Sequence, residues 1–185
     1  MQFVQTHITS FVSFLTVLSN LFFIVVFFGL VVSSQFRKKI YSFVYDNINW
    51  LIFGASITAV VFSLTYSEIV GYPPCDLCWY QRIFMYPQAI LAFCAMLKKD
   101  KNIVSYLLPL SIAGIVVSFY HSLVHWRVIS GSFLACTSSL TAPCAKVYVL
   151  EYGYVTIPFM AFTVFAYLIG ISIIYYKARN ARESI

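Results

Sequence analysis

ITSFVSFLTVLSNLFFIVVFFGLVV, from Ile8 to Val32, contains no charged side chain, and none stands anywhere before Arg37. A helix needs about 20 apolar residues to cross a hydrocarbon core of about 30 Å, and this stretch supplies them. Four more stretches follow the same pattern: Asp46 to Glu68, Arg82 to Lys98, Lys101 to Arg127, and Glu151 to Lys177. The 185-residue chain is 61% hydrophobic and only 10% charged, whereas a soluble domain carries about a quarter charged residues. So few charges cannot cover a surface facing water, so lipid must be the solvent. The expected fold class is all-α, a polytopic membrane helical bundle of five spans with no second soluble domain. A cleaved signal peptide is the alternative for the first stretch. That stretch has no basic n-region, exceeds an h-region in length and shows no small-x-small cleavage site, so a retained helix is expected.

The net charge of +6 does not point to nucleic acid, because the basic residues form short clusters between uncharged stretches rather than one face. Arg37, Lys38 and Lys39 follow span one, Lys98, Lys99 and Lys101 follow span three, and Lys177, Arg179 and Arg182 follow span five. With alternating spans these share one side, and the other side receives only Arg82, Arg127 and Lys146. The positive-inside rule then predicts an outer N-terminus and a cytoplasmic C-terminus. The one sizeable outer loop, from about Trp126 to Glu151, is too short to form a domain. Its Ala145–Tyr152 portion is expected along the interface.

Four of the five cysteines fall in the outer loops of this topology, which was assigned from Lys and Arg alone. Cys75 and Cys78 form a Cys-x-x-Cys before span three, and Cys136 and Cys144 bracket CTSSLTAPC. Outside the cytoplasm thiols can be held oxidised, and two facing disulfides can exchange. Structural staples are the plainer alternative, but short loops gain little from them in the chain-entropy account. A zinc site is a third, for which the wide Cys136–Cys144 spacing fits poorly unless His121 and His125 substitute. Cys94, in the middle of span three, is expected to be an inert apolar side chain.

Ile83 to Leu97 provides only about 22 Å of helix at 1.5 Å per residue, so span three must extend upward through Trp79 and Tyr80. Arg82 then lies at the outer membrane boundary, where a charge is costly and marks a functional position; snorkelling to headgroups is the competing explanation. Pro73 and Pro74 predict a helix start near Cys75, which places Cys78 in the first turn and on the same face as Arg82. The helix dipole and the guanidinium would both stabilise a Cys78 thiolate.

CDLCWYQR, Cys75 to Arg82, together with the second cysteine pair, resembles the DsbB/BdbC family of membrane disulfide-generating oxidoreductases. The short Cys136–Cys144 spacing is closer to the BdbC branch. The likeness runs from span two to span five and implies a four-helix DsbB-like core. Residues 41–185 would form this redox domain, and residues 1–40 an additional N-terminal transmembrane helix and a cytoplasmic basic loop. The resemblance also implies a bacterial plasma (inner) membrane location and catalytic Cys75, Cys78, Cys136 and Cys144. A DsbA-like thioredoxin-fold partner would deliver electrons at Cys136, and Cys144 would exchange with Cys75. Cys78 would face a quinone, ubiquinone or menaquinone, held by Arg82. His121 and His125 lie one helical turn apart at the outer end of span four, and His121, the deeper, is the candidate quinone donor. Two rival readings are a quinone reductase related to vitamin K epoxide reductase, and a non-catalytic membrane subunit with structural disulfides. The first places its Cys-x-x-Cys late in the chain, whereas Cys75 and Cys78 come first here.

Overall fold

No proline stands between Ser34 and Leu64, and the chain runs as helix over that length with one kink at Asn47 (φ −111°, ψ 15°). The computed structural model describes residues 2–129 and 144–183. In these, five long helices follow one another: α1 (Gln2–Val32), α2 (Ser34–Leu64), α3 (Asp76–Lys98), α4 (Val104–His125) and α5 (Ile157–Glu183). Among the described residues no strand forms beyond one antiparallel bridge between Glu151 and Val155. It closes a turn through Tyr152 and Gly153, both at positive φ. The all-α membrane bundle expected from composition is the fold observed.

Four helices are each long and apolar enough to cross a membrane; α3 is the exception. Its 23 residues give about 34 Å, but Gln81, Arg82 and Gln88 lower its hydropathy. These polar groups turn inward. Gln88 is fully buried, donates to the Phe84 carbonyl at 2.9 Å and accepts from Ser111 Oγ at 2.9 Å.

Helices α2 to α5 close into a ring around Ile48, Ile52, Val104, Leu107, Phe165 and Leu168, all buried. Gly114 of α4 lies directly against the Phe165 ring, in space that a Cβ would need. In lipid the stabilisation from burying that ring comes from close packing between helices. Helix α1 packs outside this ring, mainly on α2 and α5, and runs antiparallel to α2. At one end Gln5 Nε2 donates to the Val70 carbonyl at 2.8 Å; at the other Gly29 abuts the Phe36 ring.

Ser33 alone separates α1 from α2, extended at φ −115° and ψ 116°, its hydroxyl accepting from the Phe36 N–H. Arg37, Lys38 and Lys39, expected in a loop, therefore occupy the first turns of α2. Alternation of the helices brings these residues to the same end of the bundle as Lys98, Lys101, Arg179 and Arg182. At the opposite end α2 finishes in a π-helical turn, Thr65–Ile69. Beyond it lie the Cys-x-x-Cys and the return leg of the outer loop. Within that leg Val149 is buried with Val12, Tyr66 and Val70, while Leu150 and Tyr152 stay exposed.

Candidate active site

Pro73 and Pro74 hold the chain out of helix, and Cys75 is the extended N-cap of α3 at φ −80° and ψ 174°. Asp76 begins the helix, so Cys78 is its third residue, as the proline pair predicts. The Cys75 and Cys78 sulfurs lie 3.1 Å apart as thiols. Cys75 is 7% exposed and shares a buried cluster with Leu77 and Cys144, which is 1% exposed. Cys144 also hydrogen-bonds to the Cys75 sulfur. The hydrogen bond with Cys78 pushes the Cys75 thiol well above its ordinary pKa, and burial adds to the effect. Cys136 lies outside the described residues. Cys94 is exposed on the outside of α3, remote from this group.

Two histidines of α4 support the sulfurs. His125 Nε2 lies 3.0 Å from the Cys144 carbonyl, to which it donates, fixing the loop's return leg. His121 is fully buried, with Nε2 3.7 Å from Cys75 Sγ and Nδ1 3.1 Å from Gln81 Nε2. An amide nitrogen can only donate, so Nδ1 accepts and the imidazole proton stays on Nε2, facing the sulfur. Cys75, Cys78 and His121 also place ligand atoms within 4.8 Å of one another, close enough for a soft metal. The nitrogen that faces the sulfurs, however, carries the proton that coordination would require it to lose.

Arg82 lies one helical turn below Cys78. Its Nε donates to Ser63 Oγ at 3.1 Å and one terminal nitrogen to the Ser63 carbonyl at 3.1 Å. Trp79 and Tyr86 flank the guanidinium, with ring centroids 5.2 and 5.9 Å away. Ser63 uses two of its five N–H bonds, and the others are not engaged by the described residues. Cys75, Cys78, Arg82 and His121 all line one cavity of about 510 Å³. Two buried polar atoms of residues lining it, His125 Nδ1 and the Tyr148 hydroxyl, have no partner among the described residues.

The family model described as "Disulfide bond formation protein DsbB" matches residues 45–175. The chain belongs to the DsbB family. It is 39% identical over 123 residues to the "SPbeta prophage-derived disulfide bond formation protein B" of Bacillus subtilis, covering 66% of this chain and 81% of that protein. To the "Probable disulfide formation protein C" of Halalkalibacterium halodurans it is 42% identical, over 63% of this chain and 82% of the relative. To the "Disulfide bond formation protein C" of Bacillus subtilis the identity is 35%, over 65% and 84%. No solved structure gives a significant match. This DsbB-family chain is a membrane oxidoreductase of disulfide bond formation.

Of the residues singled out in the sequence, the fold brings together Cys75, Cys78, Cys144, Arg82 and His121. Sequence reasoning missed Gln81, although it stands inside the quoted motif. Its neighbour Arg82 drew attention by charge, while the function of Gln81 depends on how α3 and α4 align. It also missed Ser63, which anchors Arg82 from α2, and Tyr148, which stacks on Tyr72 at 4.8 Å.

Proposed function

We propose that this DsbB-family protein reoxidises a DsbA-like thioredoxin-fold partner outside the cytoplasm and passes the electrons to a membrane quinone, ubiquinone or menaquinone. One observation carries the reading: Cys75 touches Cys144 on one side and Cys78 on the other, and Cys78 opens on the Arg82 cavity. In this reading residues 41–185 form the redox domain, residues 1–40 are an addition to it, and the cysteine end of the bundle faces outward.

A partner thiolate attacks Cys136 of the Cys136–Cys144 disulfide, forming a mixed disulfide and releasing Cys144. The partner's second thiol displaces Cys136 and leaves as a disulfide. Cys144, lying on Cys75, then attacks that sulfur of the Cys75–Cys78 disulfide and expels Cys78 as a thiolate. Cys136 attacks Cys144 in turn, restoring the outer disulfide and leaving Cys75 and Cys78 reduced. The Nε2 proton of His121 faces the Cys75 sulfur and stabilises charge there, so we assign His121 to the sulfur pair more than to the quinone.

The cavity fits a quinone: apolar walls surround unused N–H bonds of Arg82, and the orphaned Tyr148 hydroxyl can donate to a ring carbonyl. Arg82 and the Tyr148 hydroxyl would donate to the ring carbonyls, whereas His125 Nδ1, an acceptor while Nε2 donates to Cys144, could take a hydrogen bond only from a quinol hydroxyl. When bound, the quinone supplies the acceptor for two electrons and two protons, which regenerates the Cys75–Cys78 disulfide. Arg82 meanwhile keeps a fixed positive charge beside Cys78.

The test is anaerobic mixing with a reduced DsbA-like protein and a soluble quinone, following loss of quinone absorbance. Stoichiometric loss is expected, and none would be seen from a membrane subunit whose cysteines only brace loops. In Cys144→Ser the free Cys136 thiol should attack the disulfide of an oxidised partner, giving a mixed disulfide and a free partner thiol, and Cys136→Ser should abolish that adduct. The reverse pattern would interchange the two assignments.

A further inference from the structure

The cavity is much longer than its reactive mouth. Its lining runs from Tyr66 of the π-helical turn and Ser63 of α2, beside Arg82, down α2 to Gly54. Ser63 to Gly54 is nine residues, or about 14 Å of helix below the guanidinium. The walls of this inner part are Gly54, Ala55 and Ala59 of α2, Leu15 and Thr16 of α1, and Val164 of α5. None is charged.

The two parts differ in what they require of an occupant. At the mouth, Arg82, His125 and Tyr148 have hydrogen-bonding capacity to spare. In the inner part, the polar atoms are already satisfied. Thr58 Oγ1 donates to the Gly54 carbonyl at 2.7 Å, and Thr16 Oγ1 to the Val12 carbonyl at 2.9 Å. The Tyr167 hydroxyl reaches Asn20 Oδ1 at 2.8 Å and Ser19 Oγ at 3.0 Å. An occupant of this part gains nothing from polar atoms and fits by shape and apolar contact. Gly54 leaves the space open, since a Cβ built there meets nothing within 4 Å.

Helix α1 turns the inner part into an enclosed groove. Its Thr9, Val12 and Ser13 are buried against the bundle, while Phe11, Phe14, Leu18 and Phe22 face outward. Leu15, Thr16 and Ser19 continue the inward face at helical spacing and cover the groove. The family match begins at residue 45, so α1 lies outside it.

We propose that the groove between α1, α2 and α5 binds the prenyl chain of a long-chain quinone, and that Leu15 and Thr16 of α1 determine how well the chain fits. The proposal rests on the quinone reading above. It assigns a chain-binding role to a helix the family match does not include.

The test compares a long-chain prenylquinone with its tail-less ring analogue, using the full-length protein in detergent. Gly54→Leu and Thr16→Trp each fill the groove, from different helices, without touching the cysteines or Arg82. A tenfold loss of binding corresponds to about 1.4 kcal/mol, which the close contacts forfeited by a chain excluded from the groove can supply. Each variant should therefore raise KM for the prenylquinone by about tenfold or more and leave KM for the tail-less ring unchanged. As a binding readout, a prenylquinone bearing a photoreactive diazirine on the part of its chain next to the ring, within the length of the groove, should label residues 12–19 of α1 or 54–59 of α2. Equal effects on both quinones would overturn the proposal, because the groove would then be holding the ring. Unchanged KM for both, or labelling confined to lipid-facing residues, would overturn it and leave the quinone reading intact. If the unmodified protein reduces neither quinone, both readings fall together.

Discussion

The two ends of the bundle handle polar groups in opposite ways. At the cysteine end the groups beside the sulfurs are buried and joined by single bonds: Gln81 to His121, His121 to Cys75, His125 to the Cys144 carbonyl. At the other end they are exposed and shared. Arg182 reaches Asp46 and Ser42 and also stacks over Tyr45, with its side chain 46% exposed. Desolvated polar groups with single partners have no substitute when one is removed, whereas solvated ones fall back on water. Substitutions should therefore be severe at the first end and mild at the second.

The largest effect is expected at Arg82. Removing one preorganised donor of this kind typically costs about 10²–10³ in rate. Arg82→Met should lower quinone reduction by that factor and spare thiol exchange with the partner. Lys should rescue only partly, since it keeps the charge but loses the planar fork that grips Ser63 while facing the cavity. Steady-state quinone reduction, with anaerobic partner exchange as control, measures both. Near-normal kcat and KM in Arg82→Met would make the guanidinium a mere anchor and shift the ring contact to the Tyr148 hydroxyl.

Gln81 comes next. Gln81→Leu leaves His121 Nδ1 buried and unpaired, at a cost of about 1–3 kcal/mol, which should slow turnover about tenfold or more. Gln81→Glu is more telling. A carboxylate accepts, which moves the ring proton to Nδ1 and turns a lone pair toward Cys75. Nitrogen-15 spectra of His121 report the tautomer directly. An unchanged tautomer in Gln81→Glu would remove Gln81 from the role of positioning residue.

These two neighbours show how far the sequence could be read. Arg82 was legible because a charge in a span too short to cross the membrane has to be explained by position. The helix start at Cys75 was legible because two prolines enforce it. Gln81 carries no charge and breaks no pattern, and its partner is 40 positions away on α4. The same applies to α1: its apolar run announced a span, but nothing in it indicated which face lies over a cavity. The basic stretch after Val32 resembled a loop because charges cluster there. With no Gly or Pro between Ser33 and the next span, the backbone simply continues as helix.

The cysteine pair itself gives a sharper, smaller test. Cys75 is pushed up by its hydrogen bond with Cys78 and by burial, so it stays protonated through neutral pH. The thiolate is the reactive form, and each pKa unit is a factor of about ten in its population. Iodoacetamide should therefore modify Cys78 about tenfold or more faster than Cys75 at neutral pH in the reduced protein. The gap should narrow as pH rises toward the raised Cys75 value. Mapping by mass spectrometry reads the ratio, and preferential modification of Cys75 would reverse the assignment of which sulfur carries the charge.

The smallest effect belongs to the opposite end. Arg182 and Asp46 pair at 3.2 Å with side chains 46% and 53% exposed, and exposed pairs of this kind contribute about 0–1 kcal/mol. Arg182→Gln keeps the length of the side chain and much of its contact with Tyr45, so little packing is lost. Thermal denaturation in detergent should shift by at most about 2–4 °C, the change that 1 kcal/mol produces in a chain of this size. Salt separates charge from packing, because the Debye length falls to about 3 Å at 1 M. The small difference between the wild type and Arg182→Gln should therefore vanish at that ionic strength, and quinone turnover should not change at all. A larger loss that persists in high salt would mean that this end, too, is built on single buried partners, and the contrast between the two ends would fail.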